Sequence, residues 1–490
     1  MKFVKQCKDT FQRSYEDFIY IKNQLTKQDR IYDYIGKIFL ENINREPCLI
    51  EETLDNIYTF FDNIEKETIT SDFIDFVKDL EDNKYVVTGE TVEELNKNEP
   101  SFSYSIKNVE TSINLFDNKE HLNYRSDFFL NYFYRKRKNS TSTIPKATIE
   151  VTSKCNERCV HCYIPHKFKN KDMNKNDIFL FIDQLHDMNG VDLILSGGEC
   201  FLHKDILEII KYAHKKDFII SILSNATLID DSIISVIKEA NINIFQVSIY
   251  SMKPEIHDYI TQLRGSHKKT IHNIIKMIEA DIPVRISCPV MKINRKDYKD
   301  VIMWANKYKI KAYTDYIMIG KMNLDISNLQ NRISIQEAEE LIKDILAVDL
   351  DYNNIIDKIP YIDKTSSISG NEEYKTKPIC GAGFDKIYLS SDGNLYPCPG
   401  WQYKLGNITE QSLKDIWENS PKLKYIRGIT KESFPKCLEC EAKDYCVICM
   451  ERNFNESNGN IFKINEYYCK VAFINKKLVE NYKKINRVLS

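Results

Sequence analysis

The chain has no imbalance of charge: 69 Lys and Arg against 71 Asp and Glu leave a formal net charge of −2. Such a balance provides no field to draw the protein to nucleic acid or to an anionic membrane, so neither is expected as a partner. No apolar run approaches the 18 residues a membrane-spanning helix needs. The N-terminus, Met1 to Cys7, has no apolar stretch after its basic residues. A cytoplasmic location is therefore expected. Glycine (15) and proline (13) are both scarce in 490 residues, which argues against low-complexity or collagen-like sequence and for well-formed helices and strands. A hydrophobic content of 42% excludes a disordered chain and is enough to bury cores in two to four domains.

What the chain does have is cysteine, fourteen in all. In a reducing compartment these are thiols available to metals or to catalysis. Ten of the fourteen fall into two groups, at 155–162 and 380–469. The first group, Cys155-Asn-Glu-Arg-Cys159-Val-His161-Cys162, directly follows an apolar, strand-like run from Ala147 to Val151. Three thiolates on a four-iron cube leave one iron free for another ligand, and an open position is a catalytic position. A zinc site whose fourth ligand lies elsewhere, or three buried free thiols, would also fit a bare triad.

From Ala147 onward apolar strands alternate with helical patterns. The strands are expected at 147–152, 192–196, 218–223, 244–250, 284–290 and 312–319. Six β-α repeats imply parallel strands with right-handed crossovers, and active residues at the carboxyl ends of the strands. Ahead of them, Phe18-Ile-Tyr-Ile21 and Arg30-Ile-Tyr32 read as strands around a polar turn. Three helical faces follow (Ile35, Ile38, Phe39, Ile43; Ile50, Leu54, Ile57, Phe60; Phe73, Phe76, Val77, Leu80), then a strand at Tyr85-Val86-Val87. Thr70 or Ser71 is the expected cap of the third helix. Between 93 and 145 an alternating run at Phe102–Ile106, an aromatic stretch at Phe128–Tyr134 and the basic run Arg135–Lys138 suggest a bridging region. Late in the chain, Leu389 to Cys398 reads as a hairpin turning on Asp392-Gly393. The solitary Cys7, Cys48, Cys200 and Cys288 read as packing residues.

The C-x3-C-x2-C triad, followed by a strand ending Leu195-Ser196-Gly197-Gly198-Glu199, resembles the radical SAM enzymes. Seven cysteines in about ninety residues (Cys380, Cys398, Cys437, Cys440, Cys446, Cys449, Cys469) around a Gly-containing hairpin resemble the SPASM extension of radical SAM enzymes that act on peptides and proteins. A zinc ribbon is the competing reading of the Cys437/Cys440 and Cys446/Cys449 pairs. The strands and three helices at the front resemble the leader-peptide recognition element of peptide-modifying enzymes. A DNA-binding winged helix or a purely structural domain are the alternatives there.

The resemblance implies an α/β protein. Its parts are a winged-helix-like α+β domain (10–92), a bridging region (93–145), a partial (β/α)6 radical SAM barrel (146–335), a linker helix and loop (336–377), a cysteine-rich SPASM domain (378–472) and a C-terminal helical tail (473–490). It implies that Cys155, Cys159 and Cys162 hold a [4Fe-4S] cluster binding S-adenosylmethionine, with His161 where the family usually has Tyr or Phe. By the same resemblance Gly197, Gly198 and Glu199 hold the methionine amine, Ser224, Asn225 and Ser248 reach the ribose and methionine, and Val290 and Asn294 flank the adenine. Thr261 stands where the family often has Arg, with Arg264 as the candidate partner of the SAM carboxylate. Two auxiliary iron-sulfur clusters are implied, one on Cys437, Cys440, Cys446 and Cys469, the other on Cys380, Cys398 and Cys449. Two closed four-iron clusters need eight cysteines and the region supplies seven, so a substrate cysteine is expected to have an open iron to bind. Catalytic acid-base residues are not legible. The implied function is maturation of a ribosomally made precursor peptide carrying a leader, with a flavodoxin- or ferredoxin-like electron donor. Thioether formation is favoured over a carbon-carbon crosslink, a sulfatase-maturing type of oxidation, or a non-catalytic iron-sulfur or zinc peptide-binding protein.

Overall fold

The computed structural model describes residues 1–26, 28–100, 143–348, 375–376 and 378–489. The runs at Phe102–Ile106, Phe128–Tyr134 and Arg135–Lys138 lie outside them.

Two small antiparallel sheets open the chain. Strands β1 (Phe3–Gln6), β5 (Cys48–Leu49) and β6 (Val86–Gly89) form one in the order β5-β1-β6, and β2 (Thr10–Ser14), β3 (Phe18–Asn23) and β4 (Asp29–Asp33) form the other. β3 is buried along its whole length, because its two faces serve two cores. Ile19 and Ile21 pack with Phe39, Phe73 and Val77 of the following helices, while Phe18 and Tyr20 pack with Val191, just ahead of the large sheet's second strand, and Ile219 in its third. An uninterrupted apolar strand is what that double burial requires. The three helices run Tyr34–Glu41, Ile50–Tyr58 and Lys66–Asp82.

Three details differ from the sequence reading. β1, ahead of residue 10, is the central strand of its sheet. The helix Val92–Asn98, past residue 92, buries Leu95 against Cys7 and Val87. The third helix starts at Lys66 with Glu65 in the capping position, so Thr70 lies inside it, its hydroxyl bonded back to the Lys66 carbonyl at 2.7 Å.

The large sheet carries β7 (Lys146–Thr152), β8 (Asp192–Gly197), β9 (Ile219–Ser224), β10 (Ile244–Ser248), β11 (Val284–Pro289) and β12 (Lys311–Asp315), all parallel and in sequential order. Helices connect them, and the inward faces make one core with Phe181, Phe218 and Phe245 at its centre. On the far side of β7 the sheet continues. β13 (Lys386–Leu389) pairs with β7 in parallel, and β14 (Asn394–Tyr396) and β15 (Gly406–Asn407) follow antiparallel. The hairpin expected to open a new domain near Pro378 is thus continuous with the barrel sheet. Buried Glu150 of β7 fastens the junction, accepting from the Tyr388 hydroxyl at 2.5 Å and the Ser391 hydroxyl at 2.6 Å. The last helix, Glu466–Leu489, starts before Cys469. Among the described residues no helix is long and apolar enough to cross a membrane.

The N-terminal sheet β2-β3-β4 meets the barrel at the amino ends of its strands. Arg13 donates to the Asp217 carbonyl at 3.0 Å, the Tyr15 hydroxyl to the Asn189 carbonyl at 3.2 Å, and Gln24 to the Asn241 carbonyl at 3.0 Å. Phe39 lies edge-on to Phe61, Phe73 and Phe76 in the N-terminal core. Phe73→Ala empties a fully buried site and is expected to cost about 3–5 kcal/mol, read as a lowered midpoint in urea unfolding. An unchanged midpoint would mean that this core does not hold the N-terminal sheet and helices together.

Candidate functional site

The cysteine loop leaves the carboxyl end of β7 and is held by backbone contacts on every side. Gly198 N–H donates to the Thr152 carbonyl at 2.9 Å and Glu199 N–H to the Lys154 carbonyl at 2.8 Å, so the end of β8 runs on beside the loop's start. That approach admits only glycine. A Cβ on Gly197 would stand 2.3 Å from the Thr152 carbonyl oxygen, and one on Gly198 would stand 2.3 Å from that of Lys154 and 2.6 Å from that of Ser153. Further along, the helix Pro254–Thr261 offers its terminal carbonyls to the loop: Arg158 N–H reaches Thr261 at 2.9 Å and Val160 N–H reaches Ile260 at 3.0 Å. Asn328 and Asn331, beyond β12, donate to the carbonyls of His161 (3.3 Å) and Val160 (3.2 Å).

Glu199 is fully buried. Its carboxylate accepts from the Ser224 hydroxyl at 2.8 Å, Asn225 N–H at 2.7 Å and Phe201 N–H at 3.2 Å. Burial raises its pKa while those donors pull it back. Asn225 in turn donates to Asn156 at 2.8 Å, and Asn156 donates to the Thr227 hydroxyl at 2.7 Å, tying the end of β9 to the residue beside Cys155. Sequence reasoning missed Asn156 and Thr227. The only signal was an Asn inside the triad, which spacing alone does not interpret.

The three thiols gather around Lys169, also unforeseen. Burial works against its ammonium, but Cys162, Cys155 and Cys159 more than compensate. Burial pushes the Cys155 thiol up to about 11 and lowers His161 to about 4. The His161 ring lies edge-on to Tyr250 at 5.1 Å, with Nδ1 unpartnered; Glu157, 3% exposed, has Oε1 unpartnered too. Three half-buried soft donors on one loop, with unpartnered polar atoms beside them, suit an iron-sulfur cube, since thiolates are its ordinary ligands.

Of the remaining expected residues, Ser248 and Val290 lie at the carboxyl ends of their strands, Asn294 follows in the next loop, and Thr261 and Arg264 lie at and just beyond the end of the helix Pro254–Thr261. Ser248 ends β10. Val290 is 1% exposed and packs in the core. Asn294 is fully buried; its amide donates to the carbonyls of Tyr250 (2.7 Å) and Pro289 (3.0 Å) and accepts from Met291 N–H, so it shapes its own loop. Thr261 is buried against the Ser266 hydroxyl at 2.7 Å, and Arg264 is exposed.

All fourteen cysteines are free. Cys437, Cys440, Cys446, Cys449 and Cys469 line a cavity of about 370 Å³. Burial, then Cys469 and Cys437, push the Cys446 thiol up to about 11. Cys380 and Cys398 sit apart from these, with Cys449 near both. Lys386 there repeats the pattern of Lys169: burial works against its charge, while Cys380, Cys398, Asp385 and then Cys449 favour it. Cys398 Sγ lies 2.9 Å from Glu451 Oε2. Tyr163, directly after Cys162, is enclosed between that thiol and the Glu451 and Cys398 side. Cys200 and Cys288 are buried in the core. Cys7 is buried in the small N-terminal core, and Cys48 is half-buried in β5.

Gly198→Ala is expected to push the start of the cysteine loop away from β8. Iron bound after reconstitution should fall by about one cluster's share while far-UV circular dichroism is kept. Full iron in that variant would show that the close approach does not position the thiols.

Residues 149–305 match the Radical SAM superfamily, and residues 380–441 match SPASM, an iron-sulfur cluster-binding domain. The AdoMet-dependent heme synthase of Methanosarcina barkeri is 26% identical over 341 residues, 65% of this chain and 94% of that protein. The antilisterial bacteriocin subtilosin biosynthesis protein AlbA of Bacillus subtilis is 26% identical over 325 residues, 64% of this chain and 68% of AlbA. Streptococcus suis SuiB bound to its precursor peptide SuiA shares the fold with a TM-score of 0.61 at 17% identity, over 94% of this chain and all of SuiB.

Proposed function

Because the chain is an enzyme carrying a radical SAM domain and a SPASM iron-sulfur domain, we propose that it matures a ribosomally made precursor peptide by joining a peptide cysteine sulfur to a carbon of another residue. The observation that carries the peptide reading is the extent of the fold likeness. It takes in 94% of the chain, and so the N-terminal sheets and helices as well as the barrel, in a protein solved with its precursor peptide. The match to a heme synthase keeps porphyrin chemistry as the second reading, but it spans only 65% of the chain. Carbon-carbon crosslinking on the same scaffold is the nearest variant of the peptide reading.

When bound, the [4Fe-4S] cluster and S-adenosylmethionine supply a 5′-deoxyadenosyl radical that takes hydrogen from an unactivated carbon. Cys155, Cys159 and Cys162 hold that cluster, and His161 places a flat ring beside it. The backbone of Gly197 and Gly198 borders the methionine amine. Glu199, with its oxygens committed to Ser224 and Asn225, fixes the strand ends that meet the ribose, together with Ser248. Val290 and Asn294 build the wall at the adenine. A flavodoxin- or ferredoxin-like protein would supply the electron. Cys437, Cys440, Cys446 and Cys469 hold one auxiliary cluster, and Cys380, Cys398 and Cys449 hold the other. The leader docks as an added strand on the N-terminal three-stranded sheet, where β4 pairs with β3 alone among the described strands.

Replacing Cys155, Cys159 and Cys162 together with Ala should remove one cluster's iron and abolish 5′-deoxyadenosine formation, with the C-terminal iron kept. Continued cleavage of S-adenosylmethionine by this variant defeats the assignment of the triad. For the peptide, a leader-bearing precursor should bind the full chain at least tenfold more tightly than its leaderless core, measured by fluorescence anisotropy. Equal affinities remove the leader-docking role, and a product lacking a sulfur-carbon bond by tandem mass spectrometry removes thioether formation.

A further inference from the structure

Seven cysteines leave the group at Cys380, Cys398 and Cys449 one protein ligand short, and a carboxylate stands where the shortfall falls. Glu451 lies in the first turn of the helix Met450–Glu456, two residues after Cys449, and is 7% exposed. Its side chain does not turn to solvent or cap its own helix. Oε2 sits 2.9 Å from the Sγ of Cys398, 53 positions away in the chain. The other oxygen presses on Gly400, where a Cβ would come within 1.9 Å of it. The backbone at Gly400 does not lie in the left-handed region, so the requirement for glycine there is space, and the space is filled by the carboxylate.

A buried carboxylate needs a partner of opposite charge or several donors. Among the described residues Lys386 and Arg452 act on Glu451 only at longer range, no ion pair is made to it, and its hydrogen-bond donors are a thiol, which is weak, and the Gly400 N–H. Iron in a cluster held by the adjacent cysteines would supply the directly bonded positive charge that neither Lys386 nor Arg452 provides. Carboxylate oxygen is a harder donor than thiolate but an accepted one for iron.

We propose that Glu451 is the fourth protein ligand of the cluster held by Cys380, Cys398 and Cys449, an assignment that rests on reading those three cysteines as a cluster site. The iron expected from counting cysteines to be open is then covered by an oxygen donor in the peptide-free enzyme. A peptide thiolate reaching this iron has to displace Glu451 first.

The test is pulsed electron paramagnetic resonance of the reduced, reconstituted full chain in ¹⁷O-enriched water, with S-adenosylmethionine present to cover the open iron of the triad cluster. The wild-type auxiliary clusters should show no coupling to solvent oxygen, whereas Glu451→Gln should keep its iron and gain that coupling. Bound solvent already present in the wild type, or none in the Gln variant, overturns the proposal. Should the Gln variant lose the cluster, Glu451→Cys decides: recovered iron with altered g-values supports ligation at this position, and wild-type g-values overturn it. Cys380→Ala separates the two layers of the argument. Its iron should fall by one cluster, and unchanged iron refutes the cluster site itself, whatever Glu451 does.

Discussion

The close passage of Gly197 and Gly198 over the carbonyls of Thr152, Ser153 and Lys154 is the constraint on which the site depends. With no side chain at either position, the end of β8 bonds directly to the start of the cysteine loop, and that contact has three consequences. It aims the loop, and with it the thiols of Cys155, Cys159 and Cys162, across the carboxyl ends of the strands. It delivers Glu199 to Ser224 and Asn225 at the end of β9. Through Asn225 it reaches back to Asn156 inside the triad. Removing any one of these contacts loosens the others, because each buried polar group here is satisfied by the next.

The C-terminal cysteines are placed by the same sheet. β13 adds to β7 in parallel, so the hairpin that carries Cys398 is registered against the strand that leads into the triad. Glu150 locks that register with two hydroxyl donors from the added segment. Tyr163 then lies between the triad and the Cys398 and Glu451 side. The triad loop and the hairpin that carries Cys398 are therefore borne by one continuous sheet. The N-terminal sheet docks at the opposite end of the strands, through Arg13, Tyr15 and Gln24. On the proposed reading, a peptide held on that sheet by its leader would run the length of the barrel to reach the thiols.

Much of this was legible in the chain. The six barrel strands were readable because buried parallel strands are short apolar runs separated by helical periods, as in Ala147–Val151 or Ile219–Leu223, and because the triad follows the first of them. β3, though antiparallel, was readable as another short apolar run, and the three N-terminal helices because their apolar residues recur at helical spacing. β1 was missed because four residues with a single buried apolar side chain, Val4, carry too little pattern. The start of the third helix was misread because Thr70 satisfies its hydroxyl inside the helix, where a Thr can also serve as a cap.

By itself the sequence determined the chemistry available: the number of thiols, their grouping, the soft donor set, and the Gly-Gly that permits close approach. These are properties of residue type and local spacing, which no fold alters. Only the tertiary structure decided which distant groups meet them. Lys169 among the first three thiols, Lys386 among Cys380, Cys398 and Cys449, the union of β13 with β7, and Glu451 against Cys398 all join segments far apart in the chain or turned by a helix. Such pairings are set by strand register and by which face of a helix is buried, and one sequence read alone records neither.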